Sequence, residues 1–105
     1  MFRPVLHIAL HIVVPGIVAR WAFVERWKIA WFIMLLANII DFDHLLADPV
    51  YDPNRCGIGF HPLHSYLATA IYLGLTAIPK TRFVGLGLVI HIALDWLDCL
   101  WMSFE

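Results

Sequence analysis

Apolar residues fall into four stretches along this 105-residue chain, separated by short polar or proline-containing breaks. The first runs from about Pro4 to Ala19 and contains Pro15-Gly16, a pair expected to bend or end a helix near its far side. The second runs from about Trp27 to Asp41 and closes on Asp41-Phe42-Asp43-His44. A third is expected from Pro62, a favourable first helical residue, to Ile78, and a fourth from Arg82 to Trp101. Gly85 and Gly87 in the fourth stretch would let a neighbouring helix come close. Only residues 45–60 read as a long loop, with Asp48-Pro49, Asp52-Pro53-Asn54, Gly57 and Gly59 as turn formers. There is no internal repeat. The pattern predicts one all-α domain, a four-helix bundle whose helices are near or below the ~20 residues that cross a bilayer.

Composition fixes the expected solvent. Hydrophobic residues make up 62% of the chain and charged ones 14%, and the mean hydropathy is +0.80. A soluble domain carries about 25% charged residues, so this chain has too little polarity to clothe itself in water. A small soluble enzyme, a disordered tail and a nucleic-acid binder are all excluded on that ground. The net charge of −1 leaves no basic patch to hold a polyanion. Arg3 precedes an apolar run as in a signal peptide, but no small-residue cleavage site follows and His7 and His11 interrupt the run, which predicts a retained membrane segment.

Charge placement gives an expected orientation. With four crossings, Arg20, Arg26, Lys28, Lys80 and Arg82 share one side, and only Arg3 and Arg55 lie on the other. The positive-inside rule then puts both termini and the long loop on the periplasmic side of a bacterial inner membrane. Cys56 and Cys99 fall on that same side, as free thiols or as a disulfide. Trp21, Trp27, Trp31, Tyr51 and Trp101 read as interface anchors.

Ionisable groups inside apolar helices are costly and usually mark function. His7 and His11 are spaced i,i+4 on the first segment, and Asp41, Asp43 and His44 end the second. His61 and His64, with Ser65 beside them, open the third, while His91, Asp95 and Asp98 share a face of the fourth. Each group alone has an ordinary explanation: packing histidines, a solvated helix end, an interfacial residue, a local ion pair. Following the chain across the membrane, however, places all four groups at one depth, toward the periplasmic side. Imidazole and carboxylate together form the ligand set of zinc, iron and manganese. Metal ligands are expected among His7, His11, Asp41, His44, His61, His64, His91 and Asp95. Ten candidate groups exceed the needs of one ion, so two divalent ions are expected, zinc first, then iron or manganese.

In this arrangement the motifs resemble those of the LexA-regulated, membrane-bound metal-dependent hydrolases, and of a family of short, uncharacterised four-segment bacterial membrane proteins. Ile40-Asp41-Phe42-Asp43-His44 is similar to the hydrolases' Leu-Pro-Asp-x-Asp-His turn, with Ile40 in place of proline. His61-Pro62-Leu63-His64-Ser65 is similar to their His-rich turn, and His91-Ile92-Ala93-Leu94-Asp95 matches their His-x-x-x-Asp helix. His7 or His11 fills the early helical position. That group is distantly similar to zinc-dependent phospholipase C and single-strand-type nucleases, which implies hydrolysis of phosphoesters. A membrane lipid or lipid-linked phosphoester is the expected substrate, with Asp43 or Asp98 as general base or as an orienter of ligating imidazoles, and Ser65 or Arg55 near the phosphate. The rival expectation is a non-catalytic protein that binds, senses or transports metal, or binds haem. Haem needs two imidazoles and no carboxylates. A transporter would carry polar groups through both membrane halves, unless a homodimer interface supplied the path.

Overall fold

The computed structural model describes residues 2–50, 52 and 55–104. Tyr51 as an interface anchor and the Pro53-Asn54 part of the expected turn lie outside them. The described chain is helical, without strands. Helix α1 spans Phe2–Ala22, α2 Trp27–Leu36, α3 Tyr66–Ala77 and α4 Arg82–Ser103.

Three boundaries differ from the sequence expectation, each for a local reason. Helix α1 continues through Pro15 to Ala22 instead of ending near it. Pro15 removes the N–H that would bond the His11 carbonyl, and the Trp31 indole N–H bonds the neighbouring carbonyl, donating to Ile12 at 2.9 Å. The indole ring rests on Gly16, where a Cβ would stand 2.8 Å from Trp31 Cε2. Trp31 therefore joins α1 to α2 rather than standing out as an anchor. The second segment does not stop at Asp41: it winds on as a tighter 3-10 helix, Ala37–Leu46. The third begins later than Pro62, which opens only a short 3-10 turn, Pro62–His64. Helix α3 starts after Ser65, whose Oγ accepts the Ala68 N–H at 3.1 Å as an N-cap.

Helix α4 is the hub and packs against α1, α2 and α3. Its two glycines make that possible on different flanks. A Cβ on Gly85 would meet the backbone of Leu75 and Thr76 in α3, and one on Gly87 would stand 2.7 Å from Met34 Cα in α2. The loop is tied to this hub by a disulfide between Cys56 and Cys99, and Ile58 beside it packs with Ile40, Tyr72, Leu88 and Ile92. Because the Met34 backbone beside Gly87 cannot yield, Gly87→Val is expected to destabilise the bundle by about 1–3 kcal/mol. Gly74→Ala, with no atom within 4 Å of the new methyl, should leave thermal unfolding in detergent unchanged or raise its midpoint. Equal effects of the two would contradict this packing.

Three helical segments, Phe2–Ala22, Val24–Leu46 and Pro79–Ser103, are long and apolar enough to cross a membrane. The twelve residues of α3 extend only about 18 Å. Beside an apolar core, large apolar side chains also face outward and ionisable ones face inward. Phe2, Trp21, Phe32, Phe42, Leu46 and Leu67 are exposed, while Arg3, His11, Asp43, His61, His64, His91 and Asp95 are buried.

A candidate metal centre of two joined donor groups

The periodicity of each helix explains which side chains turn inward. On α4, Gly85, Leu88, His91, Ile92 and Asp95 are buried at steps of three and four, one stripe of a 3.6-residue helix. On α1 the buried stripe is Arg3, His11, Pro15 and Ala19, with the half-buried His7 between its first two members. The 3-10 winding of Ala37–Leu46 matters more. Three residues per turn stack Asn38, Asp41 and His44 in one row, whereas an α-helix would fan them out. Asn38 and Asp41 in that row both reach His91.

The first donor group is Asp41, His64, His91 and Asp95. His64 Nε2 lies 3.2 Å from Asp41 Oδ1 and 2.9 Å from Asp95 Oδ2. His91 Nε2 lies 3.1 Å from Asp41 Oδ1 and 3.4 Å from Asp95 Oδ2, and the two Nε2 atoms are 3.2 Å apart. Ligand atoms at 2.0–2.1 Å from a tetrahedral zinc ion stand about 3.3 Å from one another. The five distances match the edges of such a shell.

The second group is His7, His11 and Asp95. Both Nε2 atoms lie 3.1 Å from Asp95 Oδ1. Asp95 therefore turns one oxygen to each group, the geometry of a bridging carboxylate.

Hydrogen bonds from behind set the tautomers. His64 Nδ1 donates to Asp43 Oδ2 at 2.9 Å, His91 Nδ1 to Asn38 Oδ1 at 3.0 Å, and His11 Nδ1 to the His7 carbonyl at 2.7 Å. With the proton committed to Nδ1, the neutral ring presents its Nε2 lone pair inward, as a ligating imidazole does. Asp43 is itself held by the Leu63 N–H at 2.9 Å, and Tyr72 fixes that turn by donating to the Leu63 carbonyl at 2.7 Å. Burial works against charge on His64, but hydrogen bonds to Asp41, Asp95 and Asp43 outweigh it and push its pKa up to about 10. In the metal-free protein a proton thus stands where a metal ion would.

Asp43, His44 and His61 form a third group. The His44 and His61 rings stack with centroids 3.9 Å apart, and His44 Nδ1 donates to Asp43 Oδ1 at 3.2 Å. Burial, then the neighbouring His44, hold the His61 pKa below the usual imidazole value. Asp98 pairs with Arg3 at 3.0 Å through Oδ2, and its Oδ1 stands 3.8 Å from His7 Nδ1. A cleft of about 360 Å³ opens over the second and third groups, with His7, Asp95, Asp98, Arg3 and Arg55 in its wall. Ser65 is not among its lining residues and serves as the helix cap already described. Two contributors escaped the sequence reading. Asn38 could have been flagged as the lone amide of an apolar run, three residues before Asp41, and Arg3 as the residue four before His7.

The chain belongs to DUF6122, a family of unknown function whose model matches residues 1–102. No curated protein and no solved structure matches it.

Proposed function

We propose that this DUF6122 member is an integral membrane protein of the bacterial inner membrane, holding two divalent ions near the periplasmic surface and hydrolysing a lipid-linked phosphoester. The observation that carries the reading is Asp95, whose two carboxylate oxygens each face a pair of imidazole Nε2 atoms. Membrane insertion is supported by the apolar exterior around an ionisable interior. The orientation is supported by the basic residues near Arg20–Lys28 and Lys80–Arg82, and by a disulfide, a bond at home outside the cytoplasm, at the opposite end.

When bound, the ions would polarise a phosphoryl oxygen and make water nucleophilic at neutral pH. Zinc suits the N/O donors and their spacing. The chain's own residues supply the rest. Asp43 and Asn38 lock the rings of His64 and His91. Arg3 and Arg55 bring guanidinium groups into the cleft wall, where they would hold a phosphate monoanion or dianion. The Asp98 oxygen not paired to Arg3 is the acceptor for the proton released from water. The cleft also includes apolar Pro4, Ile8 and Met102, which suits a substrate arriving from the bilayer.

A non-catalytic metal-binding or sensing role is favoured by one observation, the nearly complete burial of His64 and His91. Elemental analysis of the purified protein is expected to give two ions per chain. Release of phosphate from a panel of lipid phosphoesters, abolished by chelation, would separate the readings. Two ions with no turnover across the panel would leave the binding role; absence of metal would overturn both.

A further inference from the structure

We propose that the two joined donor groups do different work: the three-donor group holds an exchangeable ion that meets the anionic part of the substrate, and the four-donor group holds a closed, permanent one. The proposal rests on the two-ion reading above and adds a division of labour within it.

Donor count is the first argument. Four protein donors complete a tetrahedral shell, the pattern of structural sites, whereas three leave one position open, the pattern of reactive sites. Asp41, His64, His91 and Asp95 Oδ2 make four; His7, His11 and Asp95 Oδ1 make three.

Access is the second. The side chains of His64 and His91 are 0% and 2% exposed, and His7 is 27% exposed. His7 and Asp95 line the cleft together with Arg3 and Arg55, while His11 behind them is buried and His64, His91 and the half-exposed Asp41 stand outside it, so access to the three-donor group is through His7.

Rigidity is the third. Both imidazoles of the four-donor group are pinned from behind by side chains, Asp43 and Asn38. In the three-donor group His11 leans on its own helix backbone, and His7 Nδ1 has Asp98 only at 3.8 Å. A loosely held ring beside an open position permits exchange of the ion and entry of a phosphate oxygen.

Cobalt(II) titration of the full chain in detergent, with inorganic phosphate as the probe, tests this. Two equivalents are expected, one whose absorption phosphate leaves unchanged and one whose absorption phosphate alters. His7→Ala, at a half-buried position, should remove one equivalent and the whole phosphate response while the phosphate-insensitive band remains. Asn38→Leu should weaken the phosphate-insensitive ion about 10–100-fold and leave the phosphate response in place. A phosphate response that survives His7→Ala, loss of both ions in that variant, or perturbation of both bands by phosphate overturns the division of labour. Binding of a single ion by the unaltered chain overturns it too. Binding of no ion at all overturns the two-ion reading beneath it.

Discussion

If the protein holds two ions as proposed, Asp95→Ala is expected to abolish the binding of both. One carboxylate faces the imidazoles of His7, His11, His64 and His91, so its removal leaves three donors on one side and two on the other. The same change removes a buried carboxylate from among four imidazoles, a class of loss that destabilises by about 3–5 kcal/mol. Asp95→Asn separates the two consequences. The amide keeps the volume and one acceptor oxygen, so the helices should still assemble, as judged by monodispersity and circular dichroism in detergent, while elemental analysis shows both ions lost or substoichiometric. Retention of two tightly bound ions in Asp95→Asn would contradict the bridging role.

Removing the metal from the unaltered chain should produce a pH-dependent loss of stability whose sign follows from His64. In the metal-free protein its pKa stands near 10, above the roughly 6.5 of an unfolded histidine. A group with a raised native pKa stabilises fully below the unfolded value and loses that contribution as pH rises through the native one. The chelated protein is therefore expected to lose stability steadily between about pH 6.5 and 10. The metal-loaded protein, with no proton on His64 Nε2, should lack this slope. Its advantage over the chelated form would then widen with pH, and metal uptake near pH 7.5 in weak buffer should release protons. Thermal unfolding midpoints at several pH values, with and without chelator, measure the effect. Parallel pH curves for the two forms would rule out metal ligation by His64.

Much of this was legible in the sequence because membrane-like chains leave few reasons to keep a charge. The four segments, the inward stripe His91–Asp95 and the meeting of distant histidines all follow from hydropathy and helical period. Details set by winding rather than by pattern were not legible. Asp41 and Asp43 are two residues apart and look equivalent, yet the first faces the Nε2 side of His64 and the second the Nδ1 side. Only the path of Ala37–Leu46 past the His64 ring decides which is donor and which is support. Asn38 stands out as the lone amide of an apolar run, but an isolated amide has no period to say which ring it faces. Pro15 left a bend or an end open because a proline signal speaks only for its own helix, and the indole that bonds the turn, Trp31 to Ile12, comes from the next one. The helical expectation from Pro62 failed because His61 and Ser65 are extended and confine the stretch between them to one 3-10 turn, after which Ser65 caps α3.

The 3-10 winding of Ala37–Leu46 also changes reach. A 3-10 helix rises about 2.0 Å per residue against about 1.5 Å in an α-helix, so this ten-residue stretch is about 5 Å longer than it would be if α-helical. The second segment gains the length of roughly three α-helical residues without adding any. Substitutions that convert the stretch to an ordinary α-helix would shorten the segment by that amount and rotate Asp41 relative to Asn38. Length and ligand alignment are thus set by the same few backbone torsions, and neither can drift without the other.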